Sequence, residues 1–221
     1  MRVDICVCTF RRPSVAETLR TLFVQVLPAD VEARIIVVDN DARPTAEATV
    51  RRAAETAGRS VRYMHHPGQN ISAARNAALR ASTSDLVAFI DDDETAPENW
   101  LATLLSKMKQ SGADVVLGPV VSTYAEQAPG WMQRTAPHAT QPVSVLGEIT
   151  TGYTCNVLFN RSSPPLNDLC FDETLGRSGG EDTYFFARAY KHGARIAYTS
   201  EAPVFEPVPL ERARLSWLVQ R

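Results

Sequence analysis

Four carboxylates stand side by side directly after an apolar segment of this sequence. The apolar segment is Leu86–Ile90, and residues 91–94 read Asp, Asp, Asp, Glu. Like charges packed this closely cost folding free energy unless a cation or solvent relieves their repulsion. Hard oxygen ligands suit Mg²⁺ or Mn²⁺, ions that keep several waters and bind substrate phosphates. The cluster predicts a divalent metal site; the alternative is an acidic first turn of the helix that Pro97 opens.

A second candidate site is the turn Gly68–Asn70, which leads into a helix predicted over Ile71–Ala81. A helix N-terminus presents free N–H groups and a partial positive charge, which favour an anion such as phosphate. Arg75 lies one turn into this helix among small residues, within reach of the same anion. The alternative is that Asn70 or Ser72 only caps the helix and that Arg75 is solvated.

A third candidate is the pair Glu181 and Asp182, which follows two glycines and opens a helix predicted over Glu181–His192. The glycines allow a positive φ or a close backbone approach. A carboxylate placed there can act as general base toward a substrate hydroxyl. The alternative is a simple acidic cap at the start of the helix.

The elements that must position these residues alternate along the chain. Predicted strands are Val3–Cys8, Ile35–Val38, Val61–Met64, Leu86–Ile90, Asp114–Leu117, Thr154–Asn160 and Arg195–Thr199. Predicted helices cover residues 13–26, 46–57, 71–81, 97–108, 181–192 and 212–221. Apolar strands between helices are typical of a mostly parallel sheet covered on both faces. Ligands bind such sheets at the carboxyl ends of the strands, where Asp39 and the acids after Ile90 fall.

Composition narrows the class of protein. The chain has 221 residues, of which 44% are hydrophobic, as expected for one globular domain. Its 23 basic and 25 acidic residues give a net charge of −2, which argues against a nucleic-acid partner. No apolar run approaches the roughly 20 residues of a membrane span, and the N-terminus does not resemble a signal peptide. These features predict a soluble cytoplasmic protein.

Glycine and cysteine placement excludes further classes. The first glycine is Gly58, and the turn after the first strand is Cys8–Pro13. A Rossmann fingerprint and a P-loop both need glycines at that turn. The sequence therefore excludes both nucleotide-binding motifs there. The cysteines have no metal-site spacing and are expected to be buried, reduced thiols; they are Cys6, Cys8, Cys155 and Cys170.

The segment 119–142 shows no clear periodicity of apolar residues and is rich in Pro, Gln, Ala and Thr. Because apolar residues continue through it, we expect it to pass over the sheet rather than to form a linker. Trp131 in this segment is either a core anchor or a platform on which a sugar stacks. The last ten residues carry no C-terminal capping signal, which is compatible with a truncated chain or with a mobile tail.

Five segments, in this order along the chain, resemble the motifs of the family-2 glycosyltransferases. They are Cys8–Pro13, Val38–Asn40, Gly68–Ala78, Phe89–Asp93 and Gly179–Asp182. Members of that family have the GT-A fold, a nucleotide-diphosphate-sugar donor and a divalent metal ion. The resemblance, which spans about residues 3–217, implies one α/β domain with a mostly parallel central sheet and helices on both faces. It further implies a Rossmann-like nucleotide-sugar-binding half, about residues 1–118, and an acceptor-binding and catalytic-base half, about residues 119–221.

The resemblance also implies contacts to the donor nucleotide. The residues so implied are Thr9, Phe10, Arg12, Asp39, Asn70, Arg75, Asp91 and Asp92. Asp39 looks like the acid that recognises a uracil-type base. Asp91 looks like the first acid of the D-x-D pair, near the ribose, and Asp93 like the second, which binds the metal. Glu206 lies where some relatives carry a histidine that also binds the metal.

The same carry-over assigns the chemistry and the sugar contacts. Asp182 resembles the catalytic base, and Glu181 stands beside it as the second catalytic acid. The segment that contains Thr154 and Asn156 looks like the one under the donor sugar and acceptor, with Trp131 as a further contact.

The implied reaction is an inverting, Mn²⁺- or Mg²⁺-dependent sugar transfer. The expected donor is a UDP-sugar, and the expected acceptor is a saccharide or lipid-linked hydroxyl, as in bacterial polysaccharide assembly. The Q-x-x-R-W motif and membrane helices of processive members are absent, which implies single addition. Two alternatives are a nucleotidyltransferase that makes sugar nucleotides and a non-catalytic nucleotide-sugar-binding domain. The donor sugar, acceptor, oligomeric state and peripheral association with the inner face of the membrane remain open.

Overall fold

The structure is a computed structural model, and it describes residues 1–220. Its strands are β1 (Arg2–Thr9), β2 (Glu32–Asp39), β3 (Val61–His65), β4 (Leu86–Ile90), β5 (Val115–Leu117), β6 (Val120–Tyr124), β7 (Ser144–Val145), β8 (Glu148–Ile149), β9 (Asn156–Asn160), β10 (Ile196–Tyr198) and β11 (Val204–Val208). Its helices are α1 (Val15–Phe23), α2 (Glu47–Ala57), α3 (Ile71–Ala81), α4 (Trp100–Ser111), α5 (Gly130–Thr135), α6 (Glu181–Lys191) and α7 (Leu215–Gln220).

The central sheet has the strand order β10-β5-β9-β4-β1-β2-β3. Neighbouring strands in it are parallel except where β9 runs antiparallel to both β4 and β5. Register then aligns the carboxyl ends: Thr9 lies opposite Asp39, and Asp39 lies opposite His65. The predicted mostly parallel sheet is confirmed, and its strand ends form one continuous edge.

Helices cover the sheet on both faces, as the apolar strand patterns predict. On one face α1, α2 and α4 bury residues such as Leu19, Val50 and Leu104. On the other face α3 and α6 bury small residues and aromatic rings, with Phe185 and Phe186 at most 1% exposed. Burial of each large apolar side chain contributes about 1.5–3 kcal/mol. Asp91 and Asp182 therefore extend from well-packed elements.

The antiparallel strand β9 explains which residues of its segment reach the strand ends. Asn156 pairs with Ile90, the last residue of β4. The residues just before β9, among them Thr154, consequently stand at the same edge as the acids that follow β4. The antiparallel direction of β9 cannot be predicted from its apolar sequence, because central parallel and antiparallel strands have the same hydrophobic pattern when both faces are buried.

A second, two-stranded parallel sheet joins β6 to β11. Thr95 and Phe205 exchange two backbone hydrogen bonds, of 3.0 and 2.9 Å, which fix β11 beside the loop that follows β4. Gly118 precedes this sheet, and a Cβ there would lie 2.4 Å from the carbonyl oxygen of Ala202. The close approach requires glycine, and it brings Glu206 on β11 toward the acidic cluster.

Several sequence expectations need correction. Residues 119–142 contain β6 and α5, and Met132 of α5 packs against Val208 and Ala213 rather than over the central sheet. The hairpin of β7 and β8 and the strand β11 have no counterpart among the predicted elements. Val26 lies beyond the end of α1 and is 61% exposed instead of completing its apolar face.

The remaining outcomes concern the thiols and the chain end. Cys6 is buried and Cys8 and Cys155 are partly buried, but Cys170 is exposed, contrary to expectation. All four thiols are free. The predicted C-terminal helix is present as α7, while Arg221 lies outside the described residues. Within residues 1–220 no helix is long and apolar enough to cross a membrane.

Candidate active site

A cleft of about 530 Å³ opens at the carboxyl edge of the central sheet, within the size range of small-ligand sites. Five acidic residues line it: Asp91, Asp93, Glu94, Asp182 and Glu206. Three arginines line it as well: Arg12, Arg75 and Arg212. These charged residues come from the β1 and β4 ends, α3, α6, β11 and the segment that follows β11, so sequence-distant motifs meet in one place.

Arg12 ties the loop after β1 to the acids after β4. Its guanidinium donates a 3.1 Å hydrogen bond to Oδ1 of Asp92 and a second, shorter one to Oδ2 of Asp93. Asp92 is only 4% exposed and does not line the cleft, whereas Asp93 does. Burial raises the pKa of Asp92, although the Thr9 hydroxyl and Arg12 oppose that rise. The outer acids of the triplet thus face the cleft, and the middle one is a structural partner of Arg12.

The cleft floor is strongly acidic. Burial raises the pKa of Asp91 to about 7, and the neighbouring carboxylates of Asp93 and Asp92 add to the rise. Glu94 is 1% exposed, and burial followed by the charge of Asp91 raises its pKa well above the usual range. Its Oε2 accepts a 2.9 Å hydrogen bond from the backbone N–H of Asp91. Carboxyl groups in this state gain strongly from an added cation.

The start of α3 is closed to a phosphate, which corrects the predicted role of Asn70. Asn70 Oδ1 accepts the N–H of Ala73 at 3.0 Å, and its Nδ2 donates to the carbonyl of Glu173 at 2.7 Å. The N–H of Ile71 donates to the carbonyl of Gly176 at 3.1 Å. Gly176 packs so closely that a Cβ there would meet Asn70 Oδ1 at 1.9 Å. Asn70 is therefore a helix cap whose side-chain oxygen and nitrogen are both hydrogen-bonded within the chain.

Arg75 on the same helix does reach the cleft. Its guanidinium donates a short hydrogen bond to Oε1 of Glu181, and each of the two side chains is 8% exposed. It also lies 5.6 Å from the ring centre of Phe171. Glu181 is absent from the cleft lining, whereas Asp182, the next residue, lies there. The structure therefore separates the two predicted catalytic acids: Asp182 faces the cleft, and Glu181 holds Arg75.

Asp39 has a structural role in place of the predicted base contact. Its side chain is fully buried and accepts hydrogen bonds from the N–H of Asp41 at 3.1 Å and of Ala46 at 2.8 Å. The Tyr63 hydroxyl donates a third, at 2.8 Å. With both oxygens occupied and no exposed surface, Asp39 anchors the loop between β2 and α2. Phe10, by contrast, is 41% exposed, and its nucleotide contact stays a prediction.

The three predicted sugar contacts have different environments. Thr154 is 1% exposed, lines the cleft, and its Oγ1 has no hydrogen-bond partner within the described chain. Asn156 is fully buried: it accepts from Trp100 Nε1 at 2.8 Å and donates to the carbonyls of Pro119 and Ala202. It braces the turn between β5 and β6 and is not a sugar contact. Trp131 is 38% exposed on α5 and does not line the cleft.

Two cleft residues were missed or left unassigned by the sequence interpretation. Arg212 reaches the cleft from the segment after β11 and forms a 3.8 Å ion pair with Glu206. Its guanidinium lies 5.7 Å from the ring centre of Trp217. No local pattern marks Arg212, because its position depends on the unpredicted pairing of β11 with β6. Glu94 belonged to the acidic cluster, but nothing in its spacing separated it from Asp91–Asp93.

The acids do not form a ready-made cation cage. In the part of the chain that the structure describes, no three His, Cys, Asp or Glu side chains converge closely enough to hold a metal ion on their own. Asp91, Asp93 and Glu206 nevertheless present hard oxygen donors to one cleft. This donor set fits Mg²⁺ or Mn²⁺, which proteins often bind through one or two carboxylates while substrate phosphates and water complete the shell.

Sequence comparisons find a matching family model and related proteins. The family model described as glycosyl transferase family 2 matches residues 4–164. The chain is 48% identical over 221 residues to the succinoglycan biosynthesis protein ExoM of Rhizobium meliloti (strain 1021), covering all of this chain and 72% of ExoM. It is 30% identical over 172 residues to the pre-mycofactocin glycosyltransferase of Mycobacterium tuberculosis (strain ATCC 25618 / H37Rv), covering 75% of this chain and 35% of that protein.

The fold has a close counterpart among solved structures. The crystal structure of S. aureus TarS 1–349 in complex with UDP-GlcNAc superimposes with a TM-score of 0.71 at 19% sequence identity. The match covers 95% of this chain and 59% of the TarS chain. The likeness establishes the GT-A architecture expected from the sequence.

Proposed function

The chain is a glycosyltransferase of family 2, and from that premise we propose that it moves a sugar from a UDP-sugar donor to a hydroxyl of a saccharide or lipid-linked acceptor. The observation that carries the proposal is the meeting of Asp91, Asp93, Arg75 and Asp182 in one cleft at the strand ends. Acids and arginines in one cleft suit a diphosphate with a cation, and a further carboxylate there suits a hydroxyl nucleophile. Family membership favours this reaction over nucleotidyl transfer.

The donor part of the proposal draws on two relatives. TarS, whose structure contains UDP-GlcNAc, shares the fold at 19% identity, which supports a UDP-sugar as the class of donor. ExoM, at 48% identity, is named for succinoglycan biosynthesis, which supports a saccharide acceptor. The same proposal places the enzyme in the cytoplasm, against the inner face of the membrane when the acceptor is lipid-linked.

The donor phosphates would interact with a cation held by the acidic residues of the cleft and with its arginines. Asp93, with Glu206 as a second ligand, would hold a divalent cation, and Asp91 would stand near the ribose. Such a cation supplies charge stabilisation to the leaving diphosphate, a contribution of several kcal/mol. Arg75 would donate hydrogen bonds to the same phosphates, since this residue lines the cleft. Arg12 would orient Asp93 through the hydrogen bond between them.

Asp182 would act as the general base. Its side chain lies in the cleft at the start of α6, and its Oδ1 accepts the N–H of Thr183 at 2.7 Å, which fixes the orientation of the carboxylate. A hydroxyl that donates to this carboxylate would lose its proton as its oxygen attacks the anomeric carbon. Attack from the face opposite the diphosphate inverts the configuration at that carbon.

The cleft walls would select the sugar and exclude water. Thr154 carries a buried hydroxyl without a partner in the described chain, which a sugar hydroxyl could satisfy. Residues 140–143 line the cleft together with Tyr153 and Thr154, whereas the expected Trp131 does not. A covered site lowers competition from water as the nucleophile.

The proposal is tested by incubating the purified chain with a panel of UDP-sugars and Mn²⁺, Mg²⁺ or a chelator. Release of UDP measures turnover, first with water and then with oligosaccharides as acceptor. We expect turnover of at least one UDP-sugar, its loss on chelation, and an inverted anomeric centre in the product by NMR. Undiminished turnover in the chelator would refute the metal, and a retained configuration would refute direct displacement.

A further inference from the structure

A buried ion pair joins α3 to the start of α6. Arg75 and Glu181 are 106 positions apart in the sequence, yet their side chains are in hydrogen-bond contact and each is 8% exposed. Removing two charges from water is costly unless the geometry is good and further partners are present. A pair in this environment is an expensive means of joining two helices, so its position beside the cleft invites a functional explanation.

The surroundings of Arg75 show what the pair could do. The carboxylates of Asp91, Glu181 and Asp182 all raise its pKa, with Asp91 the strongest of the three, against the opposing effect of burial. Three acids therefore compete for one guanidinium. Of these, Asp91 and Asp182 line the cleft, and Glu181 does not. The hydrogen bond that Arg75 makes is to the acid outside the cleft.

We propose that Glu181 is a positioning residue, which holds Arg75 at the cleft that Asp91 and Asp182 also line, so that the remaining N–H groups of Arg75 point at the leaving diphosphate. This role rests on the proposed function and adds to it, since the sequence interpretation placed Glu181 next to Asp182 as a catalytic acid. Phe171, whose ring lies 5.6 Å from the guanidinium carbon, restricts the side chain further.

Two physical effects follow from the pairing. Arginine has a long side chain with large rotamer entropy, and fixing it before the donor binds lowers the entropy lost on binding. Arg75 released from Glu181 would instead be free to pair with Asp91 or Asp182, the two acids of the cleft that also raise its pKa. A salt bridge to Asp182 would occupy the carboxylate that must accept the acceptor proton. Glu181 thus keeps the cation and the base apart.

The test is a double-mutant cycle read by two assays that do not need the natural acceptor. The variants are Arg75→Ala, Glu181→Ala and the double variant, with Glu181→Gln and Glu181→Asp as conservative forms. The assays are UDP affinity by calorimetry in Mn²⁺ and hydrolysis of the UDP-sugar that the wild type turns over fastest. Thermal unfolding identifies folded variants, and Glu47→Ala, which removes only the exposed pair with Arg51, is the matched control.

We expect each alanine variant to lose about tenfold or more in hydrolysis rate and to bind UDP less tightly, by the size typical of a lost charged contact. Because Glu181 acts through Arg75, adding Glu181→Ala to Arg75→Ala should change either quantity by less than about twofold. Glu181→Asp, which keeps the charge, should recover part of the loss, whereas Glu181→Gln should recover less. If the alanine variants unfold, this difference between the shorter charged form and the isosteric neutral form still decides the question.

Two results would overturn the role of Glu181. Additive losses in the cycle would show that it acts independently of Arg75. Normal donor hydrolysis with slow transfer to a saccharide would assign it to the acceptor instead. A wild-type protein that neither binds UDP nor turns over a UDP-sugar would refute the proposed function itself, and that outcome is seen before any variant is made.

Discussion

The guanidinium of Arg12 donates a 3.1 Å hydrogen bond to the carboxylate of Asp92 across 80 positions of sequence. The same group contacts Asp93, so one arginine spans two adjacent acids. Asp92 is 4% exposed, and a buried carboxylate without a cationic partner is strongly destabilising. The loop after β1 and the loop after β4 are therefore coupled before any ligand binds.

This coupling predicts the stability of one variant. Arg12→Ala leaves Asp92 buried without its cation, and we expect the free energy of unfolding to fall by about 1–2 kcal/mol, discounted because Arg12 itself is partly exposed. Urea unfolding measures the change. Arg51→Ala, which removes an exposed i,i+4 pair with Glu47, is the control and should cost about 0.5 kcal/mol or less. Equal losses in the two variants would contradict the structural role of Arg12.

The second prediction separates the two neighbouring acids. Asp93→Asn should weaken Mn²⁺-dependent UDP binding by about tenfold or more, since it removes a proposed metal ligand from the cleft. Asp92→Asn should instead lower the melting temperature, because Asp92 is buried, accepts a hydrogen bond from Arg12 and does not line the cleft. Calorimetric titration of UDP with and without Mn²⁺ compares the variants. Unchanged Mn²⁺ dependence in Asp93→Asn would remove that residue from the metal site.

The sequence was a good guide to where the acids lie. Apolar strands such as Leu86–Ile90 predict a parallel sheet, parallel strands align their carboxyl ends, and Asp91 and Asp93 consequently face one cleft. Asp182 joins them because two glycines at positive φ start α6 at the cleft. These steps depend on the spacing of apolar residues along the chain and on backbone geometry, and local sequence indicates both.

The sequence was a poor guide to what short polar side chains do. Asp39, Asn70 and Asn156 all stand at ends of strands or helices, where backbone groups lack partners. A side chain there can satisfy the backbone or a ligand equally well, and local sequence does not distinguish the two. For Asn156 and Asn70 a partner that decides the role is distant in the sequence, namely Trp100 for Asn156 and Glu173 for Asn70. Long-range pairing, like that of β6 with β11, is beyond a local pattern.

Asp39 provides a direct test of this distinction. Asp39→Asn keeps the size of the side chain but cannot accept from three donors in the same way, so it should cost about 1.5–3 kcal/mol of folding free energy. UDP affinity of the folded variant should stay within about threefold of wild type, because Asp39 is buried away from the cleft. Denaturant unfolding and UDP titration measure the two effects. A selective loss of UDP binding at normal stability would restore the base-contact interpretation.

Acid sensitivity should depend on Asp4, far from the cleft. Burial alone would raise the pKa of Asp4, but hydrogen bonds from Ser82, Arg34 and the N–H of Thr83 hold it below the usual value of 3.8. A depressed pKa in the folded state stabilises the protein above the unfolded pKa, near 4. That stabilisation is lost as the pH falls through the folded-state pKa.

The variant Asp4→Asn should therefore lose about 2–3 kcal/mol at pH 7 and show a flatter dependence of stability on pH below about 4. Melting temperatures from pH 2.5 to 7, in steps, would reveal it. If the melting temperatures of the variant and the wild type fall in parallel as the pH is lowered, Asp4 does not control acid unfolding.

The last prediction concerns the general base. Asp182→Asn keeps the shape of the side chain and an oxygen to accept the N–H of Thr183, so the start of α6 should remain intact. The amide cannot take a proton from an acceptor hydroxyl, and removal of a general base costs about 10²–10⁴-fold in rate. We expect normal UDP affinity and a transfer rate at least about a hundredfold lower. Glu181→Gln should retain more transfer activity than Asp182→Asn, because Glu181 acts through Arg75 and not on the nucleophile. A near-wild-type transfer rate in Asp182→Asn would leave the cleft without its proposed base.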